Sequence, residues 1–214
     1  MLVNFFPISD VHIWAVRPIL SEDIHQLTEL SSVDRDFFQF IHHPIKQLET
    51  IASRLTVKAL CSYCGIKYQG VRKNQFNKPE LVGLPYSVSI AHTEGWAAAS
   101  IHLTQSTGID IEYPSSKIER VINKFLHPSE QKMITTSNLN LLCKFWTAKE
   151  ALYKLYARKR LDFKEMIRIQ PVGNELKGII TGDYETIYAD LYFFEWDNAH
   201  VTVAQPSVWS PLLP

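Results

Sequence analysis

Leu141-Leu142-Cys143-Lys144-Phe145-Trp146-Thr147-Ala148-Lys149-Glu150-Ala151-Leu152-Tyr153-Lys154-Leu155 is the most regular stretch of the chain. Leu141, Phe145, Ala148, Leu152 and Leu155 recur every three or four residues, which predicts a helix through Arg158 with one core-facing stripe. Trp146, Glu150 and Lys154 are four apart and form a second stripe beside it. Upstream, Gly108-Ile109-Asp110-Ile111-Glu112 alternates strictly. A strand there turns Ile109 and Ile111 to one face and places Asp110 and Glu112 side by side on the other. Downstream, strands are expected at 166–171, 176–180, 186–194 and 200–204, followed by an extended, proline-containing tail. The second half of the chain therefore reads as α+β.

The first half repeats that mixture. A strand is expected over Val11–Val16, a helix from the cap Ser21-Glu22-Asp23 to Leu30, and a second helix over Leu48–Leu60. The stretch 68–84 is broken by Gly70, Asn77-Lys78-Pro79 and Gly83 and reads as loop with at most one short strand. Strands over 86–91 and 96–103 are joined by the turn Thr93-Glu94-Gly95, and a helix is expected over Ile118–Phe125. Phe40-Ile41-His42-His43-Pro44 ahead of Lys58-Ala59-Leu60 is faintly echoed by Phe125-Leu126-His127-Pro128 ahead of Glu150-Ala151-Leu152. The expected architecture is two similar, pseudo-symmetric α+β lobes, residues 1–105 and 106–214, with a ligand cleft between them.

Composition narrows the class. The 214 residues are 46% hydrophobic and 21% charged, a globular balance. The apolar runs are shorter than the roughly 20 residues that cross a bilayer, so no membrane span is expected. Met1–Val16 has no basic start and is interrupted by Pro7, Asp10 and His12, which argues against a signal peptide. Cys61, Cys64 and Cys143 make no disulfide framework, and a reducing, cytoplasmic location is expected. Cys61-Ser-Tyr-Cys64 has no second ligand pair at zinc spacing and reads as core packing. The 22 basic and 22 acidic residues cancel, against a general nucleic-acid binder. Locally, residues 144–168 hold eight bases and three acids, an excess of five that suits an anionic partner.

Two carboxylates side by side on a strand repel unless they share a cation, and a hard divalent ion with oxygen ligands is the simplest one. Set against that strand, Glu150 adds a third carboxylate, and Lys149 and Lys154 add charges that suit phosphates. By spacing alone, His92 reads as a structural residue at a strand end. Glu130 reads either as a cap partner in Ser129-Glu130 or as a group supporting the site, and spacing leaves both open.

These pieces together resemble the Sfp-type 4′-phosphopantetheinyl transferases. The resemblance rests on Asn77-Lys78-Pro79, Ser89-Ile90-Ala91-His92-Thr93, the Gly108–Glu112 strand, Phe125-Leu126-His127-Pro128-Ser129-Glu130 and Trp146 through Lys154, in that order. It covers residues 77–163, with weaker similarity at Ser53-Arg54. It implies transfer of the phosphopantetheine arm of coenzyme A to a serine hydroxyl of an acidic acyl or peptidyl carrier protein, with release of adenosine 3′,5′-bisphosphate. It implies Mg²⁺ at Asp110, Glu112 and Glu150, Glu150 also as the serine's base, and Lys154 at the pyrophosphate. It further implies contacts with the nucleotide and its 3′-phosphate from Arg54, Lys78 and His92, beside the cofactor contact already read for Lys149. With both lobes in one chain, a monomer is expected.

The chain departs from the family pattern at three places. Ser31-Ser32-Val33-Asp34-Arg35-Asp36 has one base where the family often has several, Ala91-His92-Thr93 replaces Ser-His-Ser, and Ala157-Arg158-Lys159-Arg160-Leu161 replaces a glycine-containing turn. The competing readings are a catalytically silent module that binds coenzyme A or a carrier protein, and a Mg²⁺-dependent nuclease. The retained carboxylates and lysine disfavour the first, and the neutral charge disfavours the second.

Overall fold

The computed structural model describes residues 2–134, 138–158, 161–183 and 185–207. Lys159 and Arg160 of the basic window, and residues 208–214 of the expected tail, lie outside the described residues. The chain divides into two units, Met1–Thr107 and Gly108–Pro214.

The first unit opens with β1 (Asn4–Ser9) and β2 (His12–Pro18). A 3-10 helix (Ser21–Glu29) and α1 (Ser32–Phe38) lead into α2 (Pro44–Tyr63). Four strands follow: β3 (Val71–Lys73), β4 (Pro79–Leu81), β5 (Ser87–Thr93) and β6 (Trp96–His102). The sheet is antiparallel in the order β1-β2-β6-β5-β4-β3. β1 is not among the strands expected from the sequence, and Pro7 sits in its middle. An edge strand tolerates a residue that cannot donate, and Pro7 pairs with Ile13 next to a bulge. The stretch expected to be mostly loop holds two three-residue strands. Helix α2 begins earlier than its apolar period, at Pro44, because proline suits a first turn whose N–H needs no partner. Val57, Leu60 and Cys61 of α2 pack on Ile13, Ala15, Ala99 and Ile101. Cys61 is thus a core residue, as expected.

The second unit begins with β7 (Gly108–Glu112), followed by α3 (Ser116–Glu119), α4 (Ile122–Phe125) and α5 (Pro128–Gln131). The long α6 (Leu139–Tyr156) precedes β8 (Ile167–Val172), β9 (Glu175–Thr181), β10 (Thr186–Trp196) and β11 (Ala199–Pro206). The sheet is antiparallel in the order β7-β11-β10-β9-β8. The helix expected over Ile118–Phe125 is two separate turns. Helix α6 stops two residues short of Arg158, where Ala157 takes a left-handed φ of 56°. Phe145, Ala148, Leu152 and Leu155 are buried in the core with Ile167, Ile169, Ile180, Ala189 and Ala204, so the stripe read from the sequence faces the sheet. Leu141 is only partly buried beside it. Gly108 fixes how closely α6 approaches β7, because a Cβ at Gly108 would overlap the carbonyl of Ala151 and crowd the N–H of Leu155.

The two units share one topology. Read in order, β2, α2, β3, β4, β5, β6 and β7, α6, β8, β9, β10, β11 each place the first strand beside the last and then count back to the strand after the helix. Among the described residues, β1 is the one strand of the first sheet with no counterpart in the second. No helix among the described residues is long and apolar enough to cross a membrane.

Candidate active site

Strand β7 pairs with β11 so that Gly108, Asp110 and Glu112 lie opposite Ala204, Thr202 and His200. Ala204 belongs to the core cluster that contains α6, so this alternate set of β7 faces the helix. Ile109 and Ile111 point the other way and are fully buried. The alternation read from the sequence therefore puts both carboxylates on the side of Glu150 and Lys154.

Lys154 Nζ donates to Asp110 Oδ1 at 2.7 Å and to the Ile109 carbonyl at 3.0 Å. The two side chains remain 27% and 9% exposed, so the pair is largely shielded from water without being sealed. Glu150 lies one turn before Lys154 on α6. Burial pushes its carboxyl up to about 7, and Asp110 and Glu112 push in the same direction while Lys154 opposes them. Three carboxylates thus share one electrostatic neighbourhood, with the lysine ammonium as the cation seated at Asp110. Among the described residues, no three His, Cys, Asp or Glu side chains stand close enough to hold a metal ion as they are placed.

Two further contacts brace this region, and sequence reading missed them. Thr147 Oγ1 meets Thr202 Oγ1 at 2.8 Å in a fully buried pair, and Thr202 is the cross-strand partner of Asp110. Cys143 Sγ donates to the Glu112 carbonyl at 3.3 Å. Only the strand register reveals that Thr202 lies beside Asp110, and no local pattern marks it. Trp146, expected to share a stripe with Glu150, packs edge-on against Phe125 and stacks on Phe163.

Lys149 is not among these groups. It is fully buried, and its ammonium is held by the carbonyls of Phe125, Phe163 and Ile167 and by Glu130. That enclosure leaves no exposed face for a phosphate, contrary to the expectation from its place in the motif. Of the two roles that spacing left open, Glu130 fills the capping one. It caps α5 by accepting the N–H of His127 at 2.7 Å, and it pairs with Lys149 at 2.7 Å.

The remaining candidates belong to the first unit. Arg54 is 5% exposed, with Nε 3.2 Å from Asp34 Oδ1 and its guanidinium over the ring of Phe37. Like Lys149, it is a buried base with an acid beside it. His92 is exposed at the end of β5, 3.7 Å from Glu49 Oε1 on α2. Lys78 lines a pocket of roughly 610 Å³ with Arg72, Glu80, Leu84, Tyr86 and Ser87. Its Nζ donates to Ser106 Oγ at 3.2 Å, and burial brings its ammonium down to about 8.

Comparison with known proteins adds the following. A search of curated proteins finds no match. Among solved structures, the chain is similar to Thermotoga maritima holo-acyl-carrier-protein synthase, at 16% identity with a TM-score of 0.41. That match covers 48% of this chain and 62% of the other, so it spans less than two thirds of that protein. Residues 106–204 match the family model described as the 4′-phosphopantetheinyl transferase superfamily. Strand β7, helix α6, Asp110, Glu112, Glu150 and Lys154 all lie in that matched segment.

Proposed function

We propose that the protein transfers the 4′-phosphopantetheine arm of coenzyme A to a serine hydroxyl of a carrier protein and releases adenosine 3′,5′-bisphosphate. The observation that carries this reading is the contact of Lys154 with Asp110 beside Glu150, inside the segment that matches the transferase superfamily model. The reaction joins the serine oxygen to the β-phosphorus and breaks that phosphorus's bond to the bridging oxygen, which leaves with the nucleotide.

By donor type the set suits Mg²⁺, and its three carboxylates would have to close in from where they are placed to hold the ion. Asp110, Glu112 and Glu150 offer only oxygen, and their mutual repulsion is the condition a divalent ion relieves. When bound there, the ion neutralises charge on the pyrophosphate. Lys154 holds the Asp110 carboxylate and presents its ammonium to the pyrophosphate. Glu150, with its raised proton affinity, accepts the proton of the attacking serine. Lys78, in its pocket, takes phosphate charge of the nucleotide, and the exposed imidazole of His92, outside that pocket, is a further contact for the nucleotide. Positioning and charge neutralisation are most of what this class of transfer requires. The carrier is expected to be acidic, given the basic residues of the 144–168 window other than the buried Lys149.

The test is incubation with coenzyme A, Mg²⁺ and several apo carrier proteins, read by intact mass. The expected result is a carrier heavier by one phosphopantetheine arm. No addition on any carrier overturns the reading.

A further inference from the structure

We propose that Lys149 and Glu130 form a positioning clamp that sets the seating of α6, so that Glu150 and Lys154 face β7, and that Lys149 contacts no ligand phosphate. This deepens the transferase reading and rests on it.

An ammonium has three N–H donors. The acceptors around Lys149 Nζ are the carbonyls of Phe125 at 2.6 Å, Ile167 at 2.7 Å and Phe163 at 2.8 Å, with Glu130 Oε2 at 2.7 Å. All three protons are therefore directed at protein oxygens. Those oxygens come from the end of α4, from α5, from the segment after α6 and from the start of β8. One side chain thus ties α6 to chain on both sides of it. Glu130 extends the tie, because its Oε1 accepts the N–H of Ile169 in β8 at 2.7 Å. Adjacent helix residues point roughly 100° apart, so anchoring Lys149 on one side fixes where Glu150 points on the next.

The first unit holds the same device. Arg54 on α2 pairs with Asp34 on α1, the helix before it, and Asp34 Oδ1 accepts the N–H of Val71 at the start of β3, the first strand after α2. Tyr68 also donates to Asp34, at 2.8 Å. In both units a buried acid on the preceding helix holds a base on the long helix and an amide of the next strand. The α2-facing side of β2 contributes Ile13 and Ala15 to an apolar core, so the device accompanies the helix and sheet whether or not a carboxylate site lies there.

The experiment compares Lys149→Met, Glu130→Gln and the double variant with the wild-type chain. Transfer kinetics give kcat and the KM for coenzyme A, and amide exchange by mass spectrometry follows α6 and β8. Each single variant is expected to lower kcat about a hundredfold through misplacement of Glu150. The KM for coenzyme A should stay within about threefold, and the double variant should be no worse than the weaker single one, as for residues acting as a unit. Exchange in α6 and β8 should quicken in all three. A KM raised about tenfold with kcat kept in Lys149→Met would make Lys149 a phosphate ligand and overturn the proposal. Wild-type kcat in Glu130→Gln, or unchanged exchange in both singles, overturns it as well. If Lys149→Met does not fold, Glu130→Gln decides, since it keeps the volume and one acceptor oxygen. A wild-type chain that transfers no arm fails the transferase reading, and the exchange data still judge the clamp.

Discussion

The two units set one long helix against the same strand order, and they differ in what lies between helix and first strand. In the first unit, β2 turns Ile13 and Ala15 toward α2, where they join Val57, Leu60 and Cys61 in a dry core. Arg17, next in the alternation, is closed off by two hydrogen bonds to Asp23. In the second unit, β7 turns Gly108, Asp110 and Glu112 toward α6, which answers with Glu150 and Lys154. The buried acid–base clamp is common to both, and the carboxylates are not. The lesson is that this architecture is indifferent to chemistry at the seam, so function has to be read from the side chains placed there.

The sharpest way to break that contrast is to remove the carboxylates. Asp110→Ala and Glu150→Gln are expected to cut arm transfer by about a thousandfold, the scale of losing a preorganised charge at a reacting centre. Circular dichroism should show the fold kept. Wild-type rates in either variant would end the distinction between the units. Chelation of divalent ions should stop transfer in the intact chain, with Mg²⁺ restoring it, as measured by carrier mass.

The next effect falls on the first unit and reads as stability alone. Asp34→Ala strips the partner from buried Arg54 and the acceptor from Val71 and Tyr68, at a cost of about 3 kcal/mol. Denaturant titration checks this, and an unchanged midpoint would show that the two clamps are not equivalent. Gly108→Ala forces α6 away from β7 and is expected to cost about 2 kcal/mol by overpacking. Unlike Asp34→Ala, it should also lower kcat well beyond what its stability loss explains.

The smallest effect concerns Lys78. Its ammonium is held at about 8 by burial, so its charge is present below that pH and lost as pH rises through it. Affinity for coenzyme A should be flat to about pH 7 and weaken above about pH 8. In Lys78→Ala the KM should be raised about tenfold, the weight of one phosphate contact, and this alkaline limb should disappear. A limb that persists in the variant would assign the titration to another group.

Most of the second unit was legible because its signals are local. The period of Phe145, Ala148, Leu152 and Leu155 and the alternation of Ile109 and Ile111 each survive in the structure as buried faces. The repeat was legible only as an idea. The His-Pro pair opens α2 in the first unit but opens the short α5 in the second, so the matching letters sit on different elements. What the halves share is strand order and the clamp, which are three-dimensional and leave no common motif when one base is Arg54 and the other Lys149. Burial was the other blind spot. Both bases sit beside motif residues, and sequence spacing does not distinguish a base turned inward from one that meets a ligand.

The placement of β7 beside β11 has a consequence for how the molecule assembles. The strand that carries Asp110 and Glu112 is the first of its sheet in the chain, and its sheet partner is the last, His200 pairing with Glu112 and Ala204 with Gly108. Closing that pair means bringing together segments about ninety residues apart, among the costliest closures available to a unit of this size. Helix α6 and the β8-β9-β10 meander can form from nearer contacts, but the acidic face acquires its backbone partner only when the final strand docks. During synthesis from the N-terminus, the acidic face is completed after the rest of its own sheet.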